Sequence, residues 1–253
     1  MAFPDSMEFS ALGLGLAAVV VLYLLAVEPW WGRRAYARLE RVRDTDPGAL
    51  VRMFGTSAAV WWGLTAVTVL IVAVSPGLRF ADAGFAVPEE GMGEALGTMA
   101  GMLVGLVVVL VLLRVTGLDR GLTAGQRAVS ALLPRDRRER WAAAGGSVTA
   151  GVCEEVVFRG LLIALGVSLG LDVAVAAGIS VAVFAVAHVY QGLLGVLFVT
   201  LMGFALTSLY LSTGSLLLPV FLHILVDLRA LLFAPGREGA RPGSGRIGAD
   251  SAR

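Results

Sequence analysis

Six ionisable side chains lie inside long apolar stretches of this chain. They are Glu154, Glu155, Arg159, His188, His223 and Asp227, and they include both histidines of the sequence. A charge near the centre of a bilayer costs about 2.5–3.5 kcal/mol on insertion scales, so such residues normally pair with one another or carry out chemistry. Carboxylates and imidazoles together indicate general acid–base chemistry, in which protons move between a side chain and a reacting group.

The spacing of the first three residues predicts how they divide their roles. Glu155 and Arg159 are four residues apart, so they share one helix face and are expected to form an ion pair. Glu154 points about 100° away from Glu155 around a helix. We therefore expect Arg159 to hold one carboxylate, while the other faces a cavity where it is available as a general base.

The two histidines show the same helical spacing. Phe184 and His188 are four residues apart, and so are His223 and Asp227. Each pair therefore shares a helix face. Since no other histidine occurs in the chain, we interpret both as functional residues rather than as isolated core histidines.

Composition predicts an all-α, polytopic membrane helix bundle. Hydrophobic residues make up 57% of the chain and charged residues 15%, and the mean hydropathy is +0.83. Seven stretches approach the roughly 20 apolar residues that a membrane-spanning helix needs. They cover about 9–27, 53–74, 96–113, 147–165, 172–189, 193–212 and 215–233. A net charge of +1 gives no reason to expect a nucleic acid as partner.

The distribution of arginine predicts the orientation. The segments 28–52 and 114–146 and the tail after 233 are rich in Arg, whereas the segment 75–95 contains only Arg79. Basic loops remain in the cytoplasm, so we expect the N-terminus outside, the C-terminus in the cytoplasm and the protein in the cell membrane. In this topology Glu154, His188 and Asp227 all lie in the cytoplasmic half of the bilayer, at depths compatible with one site.

Three motifs resemble those of one protein family. Cys153 to Gly160 contains Glu-Glu-x-x-x-Arg, Phe184 to His188 is Phe-x-x-x-His, and His223 to Asp227 is His-x-x-x-Asp. In this order on apolar spans, they resemble the CAAX protease and bacteriocin-processing family of intramembrane proteases. The resemblance covers about 141–233, a protease-like domain. Hydropathy and composition divide the rest of the chain into a three-span region (1–115), a basic cytoplasmic loop (116–140) and a disordered tail (234–253).

The resemblance implies an intramembrane endopeptidase that acts on a membrane-associated peptide or protein. Glu154 would activate the attacking water with help from His188, while Glu155 and Arg159 would shape the site. His223 and Asp227 would stabilise the oxyanion. An ionised Asp227 has no proton to donate, so it would be protonated, orient His223 or bind a metal. The sequence leaves open whether Zn²⁺ bound by Glu154, His188 and His223 takes part, or no cofactor at all.

Other interpretations of the same residues remain open. The substrate could be a prenylated protein with a CAAX terminus, or a peptide undergoing maturation. A membrane scaffold or chaperone could retain the fold without proteolysis. A proton-coupled transporter could use the carboxylates and histidines as a relay, although no inverted repeat is visible in the sequence. Catalysis by Cys153 is less favourable, because a buried thiol keeps its inert, protonated form.

Overall fold

The computed structural model describes residues 7–87 and 130–232, together with isolated helical positions between 93 and 115. Within these ranges the ordered elements are helices, apart from a single β-bridge between Glu8 and Gly77. The all-α prediction is therefore confirmed for the described part of the chain. Half of the predicted third span (96–113) falls outside the described residues, as do the segment 116–129 and the tail (234–253).

The first helical run is longer than predicted. Helix α1 covers Ala11–Leu22, a wider π-helical turn covers Tyr23–Val27, and α2 covers Glu28–Val42. The π turn ends two positions before Pro29, which has no N–H to donate to the turn before it. We predicted that the span would end at 27 and that a basic loop would follow. That prediction is wrong for residues 28–42, because the arginines of this segment lie on helix α2 and not in a loop.

The remaining six helices lie close to five of the predicted spans. Helix α3 covers Ala49–Ala73, α4 Arg137–Glu154, α5 Ile163–Ser168, α6 Val173–Ala187, α7 Gly192–Thr213 and α8 Leu217–Leu232. A π-helix over Glu155–Leu162 joins α4 to α5 without a break. Asp136 caps α4 by accepting a hydrogen bond from the backbone N–H of Glu139 at 2.8 Å, so this helix starts well before the predicted span at 147.

Among the described residues, three helices are long and apolar enough to cross a membrane. They are Ala11–Val42, Ala49–Ala73 and Val189–Thr213, and Val173–Ala187 is a shorter apolar helix. The run from α4 to α5 is long, but Glu154, Glu155 and Arg159 interrupt its apolar sequence. The finding supports a polytopic membrane protein, and the total of seven spans stays a prediction.

The π-helix lies at the centre of the helix bundle. Every residue from 153 to 164 is buried, and Phe158 packs against Trp61 of α3 and Phe184 of α6. The outer face of the bundle is apolar and exposed; Leu193, for example, is 85% exposed. Such a surface is expected when the surrounding medium is lipid.

Helix α8 lies against α4 at a glycine. A Cβ atom added to Gly151 would lie 3.0 Å from the backbone nitrogen of Ile224. This close approach brings His223, which precedes Ile224, next to the carboxylates at the end of α4.

Candidate active site

The two adjacent glutamates have different surroundings. Glu155 is fully buried, and its Oε1 atom accepts hydrogen bonds from Arg159 Nη1 at 2.9 Å and from His223 Nδ1 at 2.7 Å. The side chain of Glu154 is 8% exposed, and its Oε2 atom has no hydrogen-bond partner among the described residues. The predicted ion pair between Glu155 and Arg159 is confirmed. Oε2 of Glu155 is also buried without a hydrogen-bond partner among the described residues, but both imidazoles approach Oε2 of Glu154, so that oxygen is the one available for chemistry.

Arg159 is held by three helices and is shielded from solvent. Its Nη2 donates to the carbonyl oxygen of Gly203 at 3.1 Å and its Nε to Thr207 Oγ1 at 3.3 Å, both on α7. The guanidinium carbon lies 4.5 Å above the ring of Phe184 on α6. Because every guanidinium nitrogen has a partner, Arg159 fixes Glu155 and is not available to a substrate.

His188 lies immediately after the end of α6. Its Nδ1 atom is 2.8 Å from the carbonyl oxygen of Phe184, so we assign the neutral ring a proton on Nδ1 and a lone pair on Nε2. Phe184 also packs on the imidazole, with ring centroids 4.6 Å apart. The motif Phe-x-x-x-His thus sets both the tautomer and the orientation of His188, and its Nε2 lies 3.9 Å from Glu154 Oε2.

His223, on α8, connects the two glutamates. Its Nδ1–H donates to Glu155, and its Nε2 lies 3.9 Å from Glu154 Oε2 and 3.9 Å from Asp227 Oδ2. The Asp227 side chain is 31% exposed. At 3.9 Å Asp227 makes no direct hydrogen bond to His223, so Glu155, rather than Asp227, orients this imidazole.

The structure brings all six predicted residues together. The Nε2 atoms of His188 and His223 face the same oxygen of Glu154, each across 3.9 Å. This separation is too long for a direct hydrogen bond but fits a bridging water molecule. The arrangement places a carboxylate oxygen and two imidazole nitrogens around one point, where a water molecule could lose a proton.

The same residues do not fit a metal ion in this arrangement. Among the residues that the structure describes, no three His, Cys, Asp or Glu side chains are arranged to hold one. Zinc requires ligand atoms about 2.0–2.2 Å from the ion, commonly three from the protein at a catalytic site. We therefore derive no catalytic step through a metal.

Several residues of the site were not predicted from the sequence. Gly203 and Thr207 anchor Arg159, but neither is ionisable and neither lies in a motif. Tyr190 packs near His188, with ring centroids 6.0 Å apart. Cys153 is buried in the apolar core between α3 and the π-helix, which agrees with its interpretation as a small hydrophobic residue.

Comparison with protein families gives a match in the second half of the chain. Residues 137–229 match the family described as type II CAAX prenyl endopeptidase Rce1-like. This match confirms the resemblance predicted from the three motifs, all of which lie within it. Searches of curated proteins and of solved structures gave no significant match.

Proposed function

We propose that this chain is an intramembrane endopeptidase in which Glu154 and His188 activate a water molecule. The observation that carries the proposal is the difference between the adjacent carboxylates. Arg159 and His223 both bind Oε1 of Glu155 and hold that carboxylate in place, whereas Oε2 of Glu154 has no hydrogen-bond partner among the described residues and faces two imidazole Nε2 atoms at 3.9 Å. The match of residues 137–229 to a family of prenyl endopeptidases supports a peptide bond as the group attacked.

The reaction begins with a water molecule between Glu154 and His188. Glu154 takes one proton while the oxygen attacks the carbonyl carbon of the scissile bond, which gives a tetrahedral intermediate. His188 Nε2 accepts a hydrogen bond from the same water molecule and orients its lone pair. The proton on Glu154 then passes to the leaving nitrogen as the C–N bond breaks. One water is consumed, and a carboxylic acid and an amine are formed. The acid then gives up the second proton of the former water molecule to the amine or to solvent and becomes a carboxylate.

His223 stabilises the negative oxygen of the intermediate. With a proton on Nδ1 held by Glu155, a second proton on Nε2 gives an imidazolium that donates to the oxyanion. Asp227 and Glu155 lie on either side of this ring and compensate its positive charge. This role for Asp227 removes the difficulty that an ionised carboxylate has no proton to donate to an oxyanion.

The substrate is a membrane-associated peptide or protein. The site lies among apolar helices whose outer faces would contact lipid, so a substrate segment would enter from the bilayer or from its surface. We retain the cell membrane as location, with the N-terminus outside and the C-terminus in the cytoplasm. A CAAX terminus is the first substrate to test.

The experiment is cleavage of a membrane-peptide library by the purified protein in lipid, with products read by mass spectrometry. The library includes prenylated and unprenylated CAAX peptides. Wild type is compared with Glu154→Gln and with the control Glu40→Gln, which removes an exposed carboxylate on α2. New termini from wild type and Glu40→Gln, but not from Glu154→Gln, support the proposal. Equal cleavage by all three rules out Glu154 as the base, and no cleavage by any of them favours a scaffold.

A further inference from the structure

A basic cavity lies between α2 and the beginning of α3, on residues outside the match to the endopeptidase family. It has a volume of about 460 Å³. Six of its lining residues are Trp30, Trp31, Arg34, Arg38, Asp46 and Arg52. The residues 137–229 contribute nothing to this cavity, so the proposed peptidase chemistry does not account for it.

The cavity has an excess of positive charge. Asp46 is its one acidic lining residue, and it is paired with Arg52 and accepts a hydrogen bond from the backbone N–H of Gly48 at 3.0 Å. Arg34 stacks over the ring of Trp30 at 4.2 Å. This stacking positions the guanidinium but leaves its N–H groups available to an acceptor. Arg34 and Arg38 are therefore two adjacent, exposed cations on successive turns of α2.

A second cavity of about 540 Å³, lined mainly by apolar residues, adjoins the basic one. The two share Trp30 and Arg34, and the second is also lined by Arg33 and by the apolar residues Ala26, Pro29, Val186 and Val189. Trp30 and Trp31 are 52% and 39% exposed, as expected for aromatic rings at the level of lipid head groups. A ligand that fills both cavities must have an anionic end and an apolar end.

We propose that the two cavities together bind one anionic phospholipid. Its phosphate lies between Arg34 and Arg38, its glycerol region lies beside the tryptophans, and an acyl chain lies along Ala26, Val186 and Val189. Arginine is well suited to this role because its planar fork matches phosphate oxygens. Basic pockets at the ends of membrane spans are known to select anionic head groups. Since Val186 and Val189 flank His188, the bound lipid would border the candidate site.

The test measures lipid retention by native mass spectrometry after reconstitution in equal amounts of phosphatidylglycerol and phosphatidylcholine. The double variant R34Q/R38Q is compared with R41Q/R140Q, which removes the same charge from exposed arginines outside both cavities. We expect R34Q/R38Q to lower the ratio of retained phosphatidylglycerol to phosphatidylcholine by about tenfold. The control should retain the wild-type ratio.

Two outcomes would overturn the proposal. Equal losses in both double variants would mean that diffuse attraction to basic surfaces explains the preference. An unchanged ratio in R34Q/R38Q would mean that these arginines do not select the head group. Excess inorganic phosphate should not displace the lipid, and its displacement would identify a soluble phosphate site instead. Because no outcome depends on peptide cleavage, failure of the proposed function would leave this test intact.

Discussion

Nδ1 of His223 donates a hydrogen bond to Glu155 Oε1 at 2.7 Å, across 68 positions of sequence. The same oxygen accepts a hydrogen bond from Arg159 at 2.9 Å. Arginine, glutamate and histidine thus form a buried series in which each residue fixes the next. Within the proposed reaction, Glu155 is a positioning residue for His223, while Glu154 acts on water.

The first prediction concerns this positioning role. Glu155→Gln keeps the shape of the side chain but removes the charge that holds the imidazole. We expect kcat to fall by about 100-fold or more, because His223 loses its orientation and the partner of its imidazolium. KM should change little. The measurement is kcat and KM determined separately over a range of pH.

A purely structural role for Glu155 would give a different result. Unfolding temperature and activity would then fall together, and the shape of the pH profile for the remaining activity would not change. A variant that binds substrate poorly but turns over normally would contradict the assignment.

The second prediction concerns the buried ion pair. Arg159→Met leaves the carboxylate of Glu155 buried without its guanidinium, and we expect a loss of about 3–5 kcal/mol in the free energy of unfolding. Arg159→Met combined with Glu155→Gln should recover part of this loss, since no uncompensated charge remains. Denaturant unfolding of the purified proteins in detergent measures the free energy of unfolding of the single and of the double variant. Equal stability of wild type and Arg159→Met would contradict the structure.

The third prediction concerns Asp227. Its carboxylate lies 3.9 Å from His223 Nε2, and its side chain is partly exposed. A partly exposed charge pair contributes about 1 kcal/mol or less. Asp227→Asn should therefore lower kcat by no more than about fivefold. If it is as inactive as Glu154→Gln, Asp227 takes part in proton transfer and our assignment is wrong.

The fourth prediction concerns the contact between α4 and α8. In Gly151→Ala the added methyl carbon would lie 3.0 Å from the backbone nitrogen of Ile224, so α8 must move away and carry His223 with it. We expect a loss of about 1–3 kcal/mol in stability from overpacking, and a large loss of activity although no catalytic group has changed.

Gly145 provides the matched control on the same helix. Nothing lies within 4 Å of the position that its Cβ would occupy. Gly145→Ala should leave activity intact and gain up to about 1 kcal/mol from helix propensity. Thermal unfolding and the cleavage assay distinguish the two variants, and equal behaviour would show that the close approach at Gly151 is unimportant.

The fifth prediction concerns pH and an ion pair outside the membrane-spanning segments. Burial raises the pKa of Glu139, but hydrogen bonds from Arg43 and from the backbone N–H of Arg135 outweigh it, so the pKa lies below its usual value of 4.5. A carboxyl group with a lowered pKa in the folded state contributes stability above its unfolded pKa. That contribution is lost as the pH falls through the folded pKa.

Glu139→Gln tests this linkage. The variant should unfold at a lower temperature than wild type near neutral pH, and the difference should shrink as the pH is lowered below 4.5. Thermal unfolding of both proteins at a series of pH values is the measurement. A difference that grows in acid would mean that the sign of the pKa shift is wrong.

Much of the candidate site could be predicted from the sequence because helical periodicity is local. Residues four positions apart lie on one face of a helix wherever that helix packs. The ion pair of Glu155 with Arg159 follows from this rule. Ionisable groups are rare in apolar stretches, because an unpaired charge is costly in lipid, and this rarity identified the six residues before their packing was known.

Tertiary structure decided how the helices face one another. The hydrogen bond from His223 to Glu155, and those from Arg159 to Gly203 and Thr207, join separate helices whose relative rotation no single periodicity defines. That rotation depends on packing, such as the contact that Gly151 permits with Ile224. Since periodicity relates residues only within one helix, the sequence predicted the pairing of Glu155 with Arg159 and left Glu154 as the candidate base, whereas packing between helices decided that both histidines face Glu154.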